Sequence, residues 1–228
     1  MFKVLSYPLR YDDPVWPGNP PPVQVKPFQS INMGDNVNTT ILHLFSHSGT
    51  HIDTPKHFND NGPSAIDLPI ESYIFFKPKV LNVHKPEGGF IYRQDLEIHE
   101  KKLADCDIAL LYTGWSSIRS KDPVRYVWKG PLLHPEAAQF IIDNFPDLRA
   151  IAIDAVSIGS PSYEKESIDT HKILTGVGRK DGRFILIIED LLIYPELDRA
   201  TRIYAWPLII DGSDGSPCTV VAEFEDRE

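Results

Sequence analysis

The chain has 228 residues, 42% of them hydrophobic, and a formal net charge of −9 at pH 7. An acidic balance leaves no cationic surplus to neutralise phosphates and argues against nucleic acid as a partner. The two cysteines, Cys106 and Cys218, exclude a disulfide framework and a Cys-rich zinc motif. No apolar run approaches ~18 residues, so no membrane span is expected. The N-terminus carries no signal-like apolar segment, which makes the cytoplasm the expected location. The length suits one large domain, and no linker or repeat divides it. Residues 1–228 are therefore read as a single strand-rich α/β domain.

Residues 2–6 read as a short strand. Residues 12–22 form an extended loop, because their prolines fix φ and remove backbone donors. Trp16 inside that loop belongs to no regular element, so it either plugs the core edge or lines a site. Residues 23–28 and 37–45 alternate as strands, which makes His43 an ordinary strand residue.

The second of these strands leads into His47-Ser48-Gly49-Thr50-His51-Ile52-Asp53-Thr54-Pro55-Lys56-His57-Phe58. Three histidines and an aspartate fall within these residues, and Gly49 and Pro55 forbid a long helix through them. Imidazole nitrogens and carboxylate oxygens suit zinc, manganese or iron. A catalytic metal needs about three protein ligands and an open position. His47, His51 and Asp53 can supply three from one short loop, leaving His57 as a nearby general acid or base.

Further along, residues 61–64 form a turn, and 73–76 and 80–83 are extended. Asp95 is expected to cap a helix running to about residue 103. Residues 108–112 and 150–153 are continuous apolar runs, read as buried strands. Pro135 opens a helix to about residue 145. Asp154 ends its strand either as an acceptor for a ligand histidine or as a turn cap. A short helix at 168–174 carries His171, and a strand at 184–188 ends at Glu189. Residues 176–182 form a glycine-rich turn that lacks the Gly-Lys-Ser/Thr ending of a phosphate loop. The last two strands, 203–210 and 219–224, are joined by a turn at 211–217. There is no Gly-x-Ser-x-Gly elbow and no dinucleotide fingerprint. Neither cysteine has a histidine close in sequence.

The stretch from His47 to Phe58 resembles the His-x-Gly-Thr-His-x-Asp-x-Pro-x-His-Phe pattern of the cyclase family of metal-dependent hydrolases. That family includes bacterial-type kynurenine formamidase and isatin hydrolase. Val15-Trp16-Pro17-Gly18-Asn19-Pro20, Ile153-Asp154-Ala155-Val156-Ser157, Pro207-Leu208-Ile209 and Gly215-Ser216-Pro217 are similar to further family segments. The resemblance implies a swivelling β/β/α fold and a homodimer or homotetramer. It also implies two divalent ions per subunit, zinc or alternatively manganese. His47, His51 and Asp53 then hold one ion. Asp53 also reaches a second with His171, and Glu189 bridges both. His57 becomes the catalytic acid/base, and Trp16 lines the pocket for a small-molecule substrate. Two features depart from the pattern. The span from His171 to Glu189 is longer, with residues 178–182 as an inserted loop. Cys218-Thr219 stands where a Val-Arg pair is expected, so an anion contact from that arginine is missing.

The expected reaction is hydrolysis of a small aryl formamide of the N-formylkynurenine type by metal-activated water. Lactam opening, a metal-dependent dehydration or cyclisation, and a non-catalytic metal-binding role remain as alternatives.

Overall fold

The computed structural model describes residues 1–225. Among them the strands, in chain order, are β1 (Phe2–Val4), β2 (Val23–Gln29), β3 (Thr39–Leu44), β4 (His51–Asp53), β5 (Ile74–Phe75), β6 (Pro78–Asn82), β7 (Phe90–Ile91), β8 (Ile108–Tyr112), β9 (Leu132–Leu133), β10 (Ala150–Ile153), β11 (Leu186–Glu189), β12 (Arg202–Pro207) and β13 (Gly215–Glu223). The helices are α1 (Arg93–Glu97), α2 (Glu100–Leu103), α3 (Pro123–Trp128), α4 (Pro135–Asn144) and α5 (Glu164–Leu174).

One nine-stranded sheet dominates this α/β fold. Its order is β5-β12-β13-β4-β11-β10-β8-β6, with β1 paired to β13. The two ends of that order, β5 and β6, are separated in the chain only by Phe76 and Lys77, so the sheet curls nearly closed. β6, β8, β10 and β11 run parallel. β8, β10 and β11 are near-continuous apolar segments, as expected for strands covered on both faces. Successive side chains alternate between two cores. Ala109, Leu111, Ile153 and Ile187 meet α4 and α5 on one face, through residues such as Ala138, Ile141 and Leu174. Leu110, Ala152 and Ile188 meet Ile52, Leu5 and Val220 inside the curl. Each fully buried leucine, isoleucine or valine among them contributes about 1.5–3 kcal/mol before entropy is counted.

Several expectations require correction. His51 and Asp53 do not lie in a loop: they are the ends of β4, hydrogen-bonded on both sides in mid-sheet between β11 and β13. Asp95 is not an N-cap. It sits in the first turn of α1, where its carboxylate accepts the Tyr92 backbone N–H. The helix expected to reach residue 103 is broken into α1 and α2 around Ile98 and His99. α5 starts at Glu164 rather than 168, and Gly215–Pro217 is strand rather than turn. α3 was not anticipated from the pattern of residues 123–128. Its start is signalled by Asp122, whose side chain accepts the Arg125 N–H, and by Pro123.

β2 and β3 form a separate two-stranded sheet. Every residue of β3 is exposed, as are the apolar side chains of Val25 and Phe28. A two-stranded hairpin is marginally stable alone in water.

Candidate metal and catalytic site

β4 places His51 and Asp53 on one face, since residues two apart in a strand point the same way. In register, His51 lies opposite Glu189 of β11, and Asp53 lies opposite Gly215 of β13. His47 reaches the same place from the preceding turn. That turn needs Gly49, whose φ of +57 lies in the left-handed region that glycine adopts freely. Gly215 is needed for a different reason: a Cβ there would lie 2.7 Å from His47 Cε1. His57 follows in a short 3₁₀ turn begun by Pro55. His171 comes from α5.

The structure thus brings His47, His51, Asp53, His57, His171 and Glu189 together, although 18 residues separate the last two ligand candidates and more than a hundred separate them from β4. His51 Nε2 is 3.4 Å from Asp53 Oδ1 and 3.3 Å from Glu189 Oε2. His171 Nε2 is 3.3 Å from Glu189 Oε1 and 3.8 Å from Asp53 Oδ2. His47 Nδ1 lies 2.8 Å from Asp53 Oδ1. Two donor sets have ligand atoms within 4.8 Å of one another: His51, Asp53 and Glu189, and His47, Asp53 and His57. Asp53 belongs to both.

The hydrogen bonds around the cluster fit a bound cation. His51 Nδ1–H donates to Gly49 O at 2.8 Å, and His171 Nδ1–H donates to Ser167 O at 2.7 Å. Backbone acceptors on Nδ1 fix the tautomer and turn the Nε2 lone pair inward, the arrangement that ligand histidines use. Glu189 Oε1 accepts from Ser157 Oγ and from the Ile158 N–H. Of the three buried side-chain polar atoms without a hydrogen-bond partner among the described residues, two, His51 Nε2 and Asp53 Oδ2, belong to this cluster. Lone pairs facing carboxylates at these distances call for a positive charge between them, a proton or a metal ion.

The proton affinities point the same way. Burial disfavours a charged His47, but the charge of Asp53 and bonds to Asp214 and Asp53 outweigh it and raise the pKa to about 9. His51 and His171 are raised by their carboxylate neighbours against the same burial penalty. Burial pushes Asp53 up, yet the charges of His47 and His57 hold it well below the carboxylate range. Burial and the charge of Asp53 push Glu189 up, yet the imidazoles of His171 and His51 beside it draw it down to about 2.

Sequence reading missed Asp214. Its Oδ2 lies 2.8 Å from His47 Nε2 and 2.9 Å from His57 Nδ1, and the two rings are 3.9 Å apart. One carboxylate therefore orients both imidazoles. The signal available was its position just before Gly215-Ser216-Pro217, obscured by the many small polar residues of that turn. Asp154, left open between two roles, is a turn cap: it accepts from Thr113 N, Thr113 Oγ1 and Gly114 N.

Trp16 lines a cavity of about 270 Å³ above the cluster, with Phe45, Phe58, Val156 and Ile168. Behind Glu189, Asp190 takes the left-handed φ of 50°. Its carboxylate accepts Arg119 Nε and Nη2 at 2.7 and 2.6 Å and Tyr126 Oη at 2.7 Å. Arg119 Nη1 also reaches Asp13 at 3.3 Å, three residues before Trp16.

Residues 4–160 match the model of a family described as putative cyclase. The chain belongs to that family. A kynurenine formamidase from Bacillus cereus is 30% identical over 217 residues, covering 95% of this chain and 94% of that protein. Isatin hydrolase A from Labrenzia aggregata superposes with a TM-score of 0.83 at 19% identity, over 99% of this chain and 94% of that one. A structure described as a potential metal-dependent hydrolase with cyclase activity gives 0.73 at 22%, covering 100% and 99%. At such identities the structural matches establish the fold. No helix of the described residues is long and apolar enough to cross a membrane.

Proposed function

We propose that the chain is a metal-dependent hydrolase of a small aryl amide, with an aryl formamide as the class to test first. The observation that carries this reading is the meeting of buried His51 Nε2 and Asp53 Oδ2, both without partners, with His171 and Glu189 at the base of an aromatic cavity. The kynurenine formamidase relative supports the reaction class. In this reading His47, His51 and Asp53 would hold one divalent ion, zinc or manganese, and Asp53, His171 and Glu189 would hold a second. A divalent ion there would supply Lewis acidity, lowering the pKa of water and polarising the amide carbonyl.

The protein's own groups do the rest. Glu189 is held by Ser157 and Ile158, so it cannot swing away from the cluster. His57 is the acid/base. Its Nδ1–H is engaged by Asp214 Oδ2, which leaves Nε2 to take a proton from water and deliver it to the leaving nitrogen. Its side chain is 26% exposed against 4% for His51, consistent with a group that meets substrate rather than one sealed behind it. Trp16, Phe45 and Phe58 pack against the aryl ring and keep bulk water from it. The 228 residues act as one domain, supported by the pairing of β1 with β13 from opposite ends of the chain. The exposed apolar β2–β3 hairpin supports assembly into a homodimer or homotetramer.

The test is turnover by protein loaded with zinc or manganese on matched aryl formamides, aryl lactams and aryl lactones. Cleavage of the formamides, lost on chelation, is expected. Cleavage of the lactones alone, or of nothing, overturns the reading.

A further inference from the structure

The cavity walls carry charges, and nearly all of them are already engaged. Glu189 accepts from Ser157 and Ile158 and faces His171, and Asp190 accepts from Arg119 and Tyr126. The histidines face those carboxylates and Asp214. One lining group is left over. Glu164, in the first turn of α5, lines the cavity and is exposed. Among the described residues it has neither an ion pair nor a side-chain hydrogen bond, whereas its neighbour Lys165 is paired with Asp169 at 2.7 Å. Among the described residues no lysine or arginine lines the cavity. Arg119, near its floor, has its guanidinium bound to Asp190 and Asp13, and it is buried.

A carboxylate on the substrate, away from the scissile amide, therefore finds no cation in the walls and one free anion at the rim. A neutral aryl ring finds Trp16, Phe45, Phe58 and Ile168. An ammonium group finds Glu164. We propose that Glu164 is a specificity determinant, and that the cavity selects uncharged or amine-bearing aryl amides over those bearing a carboxylate. The inference rests on the amide-hydrolase reading and narrows its substrate. A purely structural role for Glu164 also exists, since an acidic residue in a helix's first turn favours the helix dipole. That role affects stability and leaves the order among substrates unchanged, so substrate order is the quantity to measure.

The experiment uses the metal-loaded protein and three formanilides that differ only in a para substituent: methyl, aminomethyl or carboxymethyl. The methyl and aminomethyl compounds are expected to exceed the carboxymethyl one by about tenfold in kcat/KM, chiefly through KM. Glu164→Gln should narrow that ratio about threefold and Glu164→Lys about tenfold, the size of one partly screened charge contact near a surface. Calorimetric binding of the corresponding non-hydrolysable aryl methyl ketones reads the same charge order without turnover. Binding in the expected order with no cleavage of any formanilide overturns the hydrolase reading and leaves the charge selection standing. A carboxymethyl compound handled as well as the methyl one, or an unchanged ratio in Glu164→Lys, overturns the proposal. Failure of every ketone to bind overturns both.

Discussion

Replacing Arg119 by Met tests how the cavity is held together. Arg119 is 5% exposed, and it forks Asp190 through Nε and Nη2 while Nη1 reaches Asp13 and the guanidinium lies 4.1 Å from the Tyr7 ring centre. Burial disfavours its charge, but the bonds and charge of Asp190 raise its pKa above the ordinary value. Met fills similar volume without a donor, so Asp190 is left buried with Tyr126 as its one side-chain donor. Breaking a buried pair from one side costs about 3–5 kcal/mol. For a chain of this size that corresponds to a fall in Tm of roughly 6–20 °C. Burial already pushes Asp190 upward against the pull of Arg119, and the variant removes that pull. A carboxyl with a raised folded-state pKa is destabilised as pH climbs above the unfolded value of about 3.9, because the unfolded chain gives up its proton first. The deficit of Arg119→Met should therefore be larger at pH 7.5 than at pH 5, and Arg119→Met with Asp190→Asn should recover part of it. Calorimetric melts of metal-loaded protein read all of this. A Tm within about 2 °C of wild type at pH 7.5, or a deficit equal at both pH values, would refute the reasoning.

His57→Ala should retain metal and lose turnover by about 10²–10⁴-fold, the usual range for a general acid/base; equal loss of metal in His57→Ala and His51→Ala would make His57 a ligand. Asp214→Asn, which replaces the carboxylate shared by His47 and His57, should lower activity or metal affinity by about 10–100-fold, as loss of a ligand's supporting bond does; unchanged kinetics and metal content would remove it from the site. Light scattering should find a dimer or tetramer, and Phe28→Asp on the exposed hairpin should shift it toward monomer; a wild-type monomer at micromolar concentration contradicts the assembly.

Much of the fold could be read from the chain because its central strands are buried on both faces. Residues 108–112 and 150–153 are continuous apolar runs, so their ends are visible from composition alone, and they match β8 and β10. β4 was hidden for the opposite reason. A three-residue strand carrying His51 and Asp53 has no alternation to detect, and its strand character comes entirely from β11 and β13 on either side. The histidine motif itself was conspicuous because its spacing is local. Asp214, Arg119 and Glu164 are isolated in sequence and acquire partners or a position in the cavity wall only through long-range packing, so no local pattern could single them out. The break between α1 and α2 likewise has no proline or glycine to mark it.

The most direct test is elemental analysis of protein purified without chelator, beside His51→Ala and Glu189→Gln variants whose fold is checked by circular dichroism. His51 Nε2 and Asp53 Oδ2 are buried without partners beside Glu189, so wild-type protein should carry divalent zinc or manganese, approaching two ions per chain. Each variant should lose at least one. Wild-type protein that contains no metal, and takes up neither zinc nor manganese when they are added, would contradict the assignment of this cluster as a metal centre.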